Sequence, residues 1–420
     1  MAFVNLFTVA LVIVSPTLAI EHLSSNASGV LPNGKYEISS RGIRAQFVPY
    51  GASLSNLFIT DARGVERDIV LGFDNATYYS QSALHPHLNG VAGRYVNRIK
   101  NGTFAIDGVT YHTDLNDHGL DTLHGGSNGW DYRNWTVDSH SWDSITFSLI
   151  DPDGEEGFPG EVTAYATYTV TPYEWHLRMI ARSTTKKTPI MLTSHTYLNL
   201  DGFRNPNTSL ALNHTLYMPY SGQRIATDSI LIPTGDVLGN TQYGVHDFWS
   251  SPKQLAANIT SPDLLGACGY NCTGYDTCYP FNRQAQLGRF YDWKSAPVAT
   301  LTSQWSGIEL DIYTNQRAMQ VYTCNNMNGT PACNLNICNL PSADAKLGTF
   351  ALKETQGFFN DSSRPRVVQK YGCVVLEVED WIDGINQPEW GRDRLQVFGP
   401  HDRPYVLEAR YRFSLNGTAA

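Results

Sequence analysis

The chain reads as an all-β protein, a large antiparallel β-sandwich, on three observations. Apolar and polar residues alternate with a period of two over long stretches. An Asp-Gly pair sits between two such stretches, where a tight hairpin turn belongs. Amphipathic helical patterns of useful length are nearly absent.

Taken along the chain, 43–49 is the first strand candidate. Phe104-Ala105-Ile106-Asp107-Gly108-Val109-Thr110-Tyr111 reads as a hairpin, because Asp-Gly tolerates the positive φ of a two-residue turn. A strand over 144–150 follows. Val162, Ala164, Ala166, Tyr168 and Val170 then alternate with Thr163, Tyr165, Thr167 and Thr169. Leu177, Met179 and Ala181 alternate with His176, Arg178 and Arg182. Such alternation describes antiparallel strands with one face on a core and one toward solvent. Further strand candidates are 188–193, 308–314, 317–323, 372–379 and 404–414. No repeat, linker or low-complexity tract interrupts the chain. Residues 20–420 are expected to form one domain, with a division near the 239–272 insert as the alternative.

Composition agrees with a globular protein. Of 420 residues only 16% are charged, against about 25% on average, while 42% are hydrophobic and 12% aromatic. That content excludes disorder. The 39 acids outnumber 30 bases, for a net charge of −9, which argues against a nucleic-acid partner. No apolar run long enough to span a membrane occurs after residue 20, so no membrane anchor is expected once the leader is cut.

Residues 3–14 are apolar and uncharged, and Thr17-Leu18-Ala19 places small residues at a cleavage site. Residues 1–19 are therefore expected to be a secretory signal peptide and the protein to be extracellular. Eleven N-glycosylation sequons fit export: Asn26, Asn75, Asn101, Asn134, Asn207, Asn213, Asn258, Asn271, Asn328, Asn360 and Asn416. All seven cysteines fall between Cys268 and Cys373, without a C-x-x-C pair. Cys268, Cys272, Cys278, Cys324, Cys333 and Cys338 lie in loop-like sequence, where disulfides are expected in an oxidising compartment. Cys373 lies in an apolar run and is the candidate buried free thiol. The pairing cannot be read from spacing.

Three motifs have bland readings. Gly125-Gly126-Ser127-Asn128-Gly129 matches G-x-S-x-G, but no helical pattern follows, as a nucleophile elbow requires. His85-Pro86-His87 lacks a third metal ligand and reads as a solvated loop. Asp151-Pro152-Asp153-Gly154-Glu155-Glu156 is an incomplete calcium loop and reads as a surface turn. No metal site is expected.

The chemistry sits in short segments that place titratable residues amid apolar or glycine-rich sequence. They are Asn97-Arg98-Ile99, Leu123-His124-Gly125-Gly126, Thr193-Ser194-His195-Thr196-Tyr197, Gly274-Tyr275-Asp276 and Leu376-Glu377-Val378-Glu379-Asp380. Spacing alone does not bring them together. In order along the chain, however, these segments resemble the signature blocks of the aldose 1-epimerase (galactose mutarotase) family. Gly93-Arg94-Tyr95-Val96-Asn97-Arg98-Ile99 is similar to G-R-x-x-N-R-I, and Leu123-His124-Gly125-Gly126 to L-H-G-G. Glu156-Gly157-Phe158-Pro159-Gly160 is similar to E-G-[FY]-P-G, and Thr193–Leu200 to T-N-H-x-Y-F-N-L. Ile232-Pro233-Thr234-Gly235, Gly274-Tyr275-Asp276 and the segment 376–386 complete seven blocks.

The resemblance implies a β-supersandwich, interconversion of the anomers of free aldohexoses such as glucose and galactose, and no cofactor. It also implies roles. Glu377 aligns with the general base and His195 with the general acid; Asn97, Arg98, His124 and Asp276 align with sugar-binding positions. Those residue types suit the reaction. A carboxylate can take the proton of the C1 hydroxyl, and an imidazole can deliver one to the ring oxygen. Arg98 and His124 can hold sugar oxygens while C1 turns, and Asp276 can accept from hydroxyls. Gly125 and Gly126 leave room for a ligand to approach backbone.

Departures from the family pattern bear on substrate preference. Ser194 replaces Asn, Thr277 follows Asp276 where His is frequent, Ile382 replaces Pro, and Glu379 stands where Gln is usual. If 372–379 is a strand, Glu377 and Glu379 share a face, and the second carboxylate raises the pKa of the first. A non-catalytic sugar binder on the same fold, and a carbohydrate-active hydrolase or lyase, are the alternatives. For hydrolysis, two acids on one strand face are poorly placed to flank a scissile bond.

Overall fold

The computed structural model describes residues 29–81, 87–283, 292–327, 351–358, 361, 364 and 366–416. The signal-peptide segment, Asn26, His85, Pro86, Asn328, Cys333, Cys338 and Asn360 lie outside the described residues. Among the described residues the single α-helix is Thr77–Gln81, and none is long and apolar enough to cross a membrane.

A nine-stranded antiparallel sheet forms one layer. Its central run is Ser144–Asp151, Val162–Thr171, Glu174–Ser183, Tyr405–Leu415 and Ile308–Thr314, in that spatial order. The alternation predicted for 162–170 and 176–182 is what sets its faces. Ala164, Ala166, Tyr168, Leu177 and Met179 point to the core, while Tyr165 and Arg178 face solvent. A four-stranded sheet, Tyr36–Ser40, Ile43–Val48, Ser53–Thr60 and Glu66–Asp68, packs Phe47 against Tyr168 with ring centroids 4.5 Å apart. The Asp107-Gly108 hairpin joins Thr103–Ile106 to Val109–His112, with Ile106 opposite Val109.

A second four-stranded sheet carries the site. Its order is Tyr197–Leu198, Val374–Glu379, Ala318–Tyr322, Asp276–Pro280. One face sends Tyr279, Met319, Val321, Leu376 and Val378 into the main core. Each such side chain contributes about 1.5–3 kcal/mol when fully buried. The other face presents Asp276, Gln320, Glu377 and Glu379, because side chains alternate and the register sets Gln320 opposite Glu377.

Several expectations change. The 188–193 strand is broken into Thr188–Pro189 and Thr193–Ser194, because between them Met191 turns to bridge Tyr95 in parallel. The acidic turn is not wholly superficial: Asp151 is buried, holding Arg94 at 2.7 Å and also Arg133. Cys373 is not free; it is bonded to Cys324, and Cys268 to Cys272. An apolar run does not distinguish a thiol from half of a buried disulfide. Among the described residues the free thiol is Cys278, which lies inside a strand rather than a loop.

Candidate active site

Very short ladders assemble the site. Arg98–Ile99 pairs with Thr122–Leu123, which delivers His124 beside Asn97. The backbone then locks the two together. The His124 amide donates to the Asn97 carbonyl at 3.1 Å, and the Asn97 amide donates to His124 Nδ1 at 3.2 Å. With Nδ1 accepting, His124 carries its proton on Nε2 and can donate to a ligand. Both residues pay for this with left-handed backbone, at φ 61° for Asn97 and 51° for His124.

His195 is held by a second short ladder, in which Thr193 and Ser194 pair with Ala92 and Val91. The Thr193 hydroxyl donates to the Val378 carbonyl at 3.0 Å and so ties this segment to the Glu377 strand. His195 Nε2 lies 3.5 Å from Glu377 Oε1, and both side chains are buried. Asp276 accepts from Gln320 Nε2 at 2.6 Å, and Arg98 Nε donates to Asp117 at 2.8 Å. Asn97 donates to Glu379 Oε1 at 3.4 Å. Buried atoms Oε2 of Glu377, Nδ1 of His195 and Oε1 of Gln320 have no hydrogen bond within the protein, so a polar ligand would satisfy them.

Burial dominates the electrostatics. Desolvation, then the Asp276 charge, hold the Glu377 carboxyl well above the usual carboxylate range, against the pull of Arg98. Glu379 is raised by burial and then by Glu377. Repulsion between Glu377 and Glu379 is mutual, so Glu379 opposes ionisation of Glu377 alongside Asp276. Burial, then the charge of His87, push His195 down to about 3. At 3.5 Å the His195–Glu377 contact has ion-pair spacing, yet both shifts oppose ionisation. Burial thus works against charge on both partners of the pair.

All six site residues named from sequence line this one region. Arg94, by contrast, is structural, donating to the carbonyls of Pro159 and Gly160 at 2.9 and 2.7 Å. Gly125 serves packing rather than a ligand: a Cβ there would lie 2.1 Å from the Gly93 carbonyl oxygen. Ser127 is exposed and bonded to Asp114, followed only by the three-residue 3-10 turn Trp130–Tyr132 and not by the α-helix a nucleophile elbow needs. Two residues escaped the sequence reading. Gln320 is the lone polar residue in Ala-Met-Gln-Val-Tyr, a signal that could have found it. His87, placed in a solvated loop from sequence, instead packs its ring 4.3 Å from that of His124.

His124, His195 and Glu377 offer ligand atoms within 4.8 Å of one another, a spacing that could hold a metal ion. The Nε2 proton of His124 makes that residue a donor rather than a ligand there. The buried imidazoles of His124 and His195, converging with the buried Glu377 carboxyl, instead match a polyhydroxyl ligand that needs both donors and acceptors.

Comparison with known proteins agrees. The family model described as aldose 1-epimerase matches residues 34–391. A protein of Arthroderma benhamiae named "Probable aldose 1-epimerase" is 38% identical, covering 93% of this chain and 88% of its own. The galactose mutarotase of Sus scrofa is 30% identical, over 86% of this chain and 91% of its own. A solved GalM/aldose epimerase homologue from C. elegans superposes with a TM-score of 0.71 at 26% identity, covering 91% and 99% of the two chains. The chain thus belongs to the aldose 1-epimerase family, and is an isomerase, a mutarotase on the all-β fold its alternation predicted.

Proposed function

We propose that the chain interconverts the α and β anomers of free aldohexoses such as glucose and galactose, with Glu377 as general base and His195 as general acid. The observation that carries this reading is the buried Glu377–His195 pair at 3.5 Å, facing His124, Arg98 and Asp276. In ring opening, Glu377 takes the proton of the C1 hydroxyl and His195 gives one to the ring oxygen. The C1–O5 bond breaks, C1 becomes an aldehyde, the C1–C2 bond rotates, and closure reverses both transfers. After opening, the proton rests on Glu377 and His195 is neutral. Burial opposes charge on both groups, so it favours the transfer that neutralises the pair. Asn97, Arg98, His124 and Asp276 hold the sugar meanwhile.

We further propose that residues 1–19 are removed, that 20–420 form one exported domain, and that the protein is glycosylated. Support comes from the eight described sequon asparagines, none of which is buried.

Polarimetry on freshly dissolved α-D-glucose and α-D-galactose tests the activity. Wild type should speed the approach to anomeric equilibrium, and Glu377→Gln or His195→Asn should lower the rate on the order of 10²–10⁴-fold. No acceleration on either sugar would refute these substrates.

A further inference from the structure

His87 stands beside the acid–base pair without a part in the proton transfers, yet it is carefully placed. Its Nδ1 meets Asp131 Oδ2 at 2.6 Å. The Asp131 side chain is 0% exposed and that of His87 is 13% exposed. Asp131 is itself caged: a Cβ on Gly90 would come within 2.7 Å of its Cβ. The other Asp131 oxygen is buried and makes no hydrogen bond within the protein. A buried carboxylate in that setting does one thing well, which is to fix the imidazole that reaches it. With Nδ1 committed, Nε2 is the remaining nitrogen; it meets the Tyr132 hydroxyl at 3.4 Å, a long contact that a sugar hydroxyl would share or displace. The ring stands 4.3 Å from His124 and 5.8 Å from His195, centroid to centroid. It therefore forms one wall with the two imidazoles already placed in the site, on the more exposed side.

We propose that His87, aimed by Asp131, binds the sugar through Nε2, hydrogen-bonding a hydroxyl other than the one at C1. The inference rests on the sugar-binding reading of the site and deepens it. A polar group fixed by a buried partner discriminates strongly against a ligand that lacks the matching hydroxyl.

The test compares wild type with His87→Phe, His87→Gln and Asp131→Asn on galactose, glucose and their singly deoxygenated analogues. His87→Phe should raise KM for the full hexose about tenfold, with a smaller effect on kcat. One deoxy sugar should be nearly indifferent to the substitution, because it lacks the hydroxyl that His87 holds. His87→Gln, which keeps a polar head, should recover part of the loss, and Asp131→Asn should follow His87→Phe. Thermal unfolding confirms that each variant is folded. Unchanged KM in His87→Phe, or the same loss for every sugar including all deoxy analogues, overturns the proposal. If wild type binds sugars without turnover, the reaction falls but His87 is judged by the same comparison of Kd from calorimetry. If it neither binds nor turns over any of them, both readings fall.

Discussion

Gln320 donates its side-chain amide to Asp276 across 2.6 Å, from a position in the ladder directly opposite Glu377. One side chain thus orients a carboxylate of the sugar site from the strand beside the proposed base. Gln320→Leu keeps similar bulk and removes the donor, leaving the half-buried Asp276 short of a partner. We expect KM for galactose to rise about tenfold with kcat less affected, as read by initial-rate polarimetry. An unchanged KM would show that Asp276 is held without Gln320.

The Glu377–His195 pair should also set the pH profile. Burial raises Glu377 and lowers His195 to about 3, so the two titrate as a pair shifted away from the ordinary histidine range. Acid inactivation requires a second proton on the pair, which comes below the ordinary histidine range. Alkaline inactivation requires loss of the pair's proton, which comes above the ordinary carboxylate range. We expect kcat/KM to stay flat from about pH 5 to about pH 7, where an ordinary histidine would titrate. A limb centred near pH 6.5 would assign the controlling ionisation to a different group.

Glu379 should weaken the fold as pH rises. It is fully buried, and its pKa is raised by burial and then by the Glu377 charge. An acid with a folded pKa above its unfolded value, about 4.3, gives its full stability below that value. That stability is lost as pH climbs through the folded pKa. Glu379→Gln removes the dependence. Its melting temperature should therefore exceed that of wild type by an amount that grows between about pH 4 and about pH 9, on the order of 2 °C. Calorimetry at both ends checks this; a constant offset would contradict it.

Arg94 joins two signature blocks without touching the reacting groups. It donates to Asp151 at 2.7 Å and to the Gly160 carbonyl at 2.7 Å, at 1% exposure. Arg94→Met should destabilise by about 3–5 kcal/mol, because it leaves buried acceptors behind. Urea unfolding measures this, and a shift in stability without change in KM of the folded fraction is the expected pattern.

The long strands were legible because period two persists for many residues, as in Val162–Thr171 and Glu174–Ser183. The ladders that build the site were not, since two residues such as Arg98–Ile99 or Thr193–Ser194 carry no period. Their site residues were found through signature blocks instead. His87 was missed because a His-Pro-His triplet has no local mark of burial; its partner Asp131 arrives from 44 positions away. Cys373 misled for a similar reason, its partner Cys324 being 49 residues distant.

That second disulfide has a consequence for chain integrity. Cys324 follows the Gln320 strand and Cys373 precedes the Glu377 strand, so the bond closes the 49-residue excursion at its root. A protease that severs the chain once between them would leave two fragments still joined beside the sugar pocket. The nicked protein would migrate as one species until a reductant separated it. One break there would thus still leave the two strands that carry Gln320 and Glu377 stitched together.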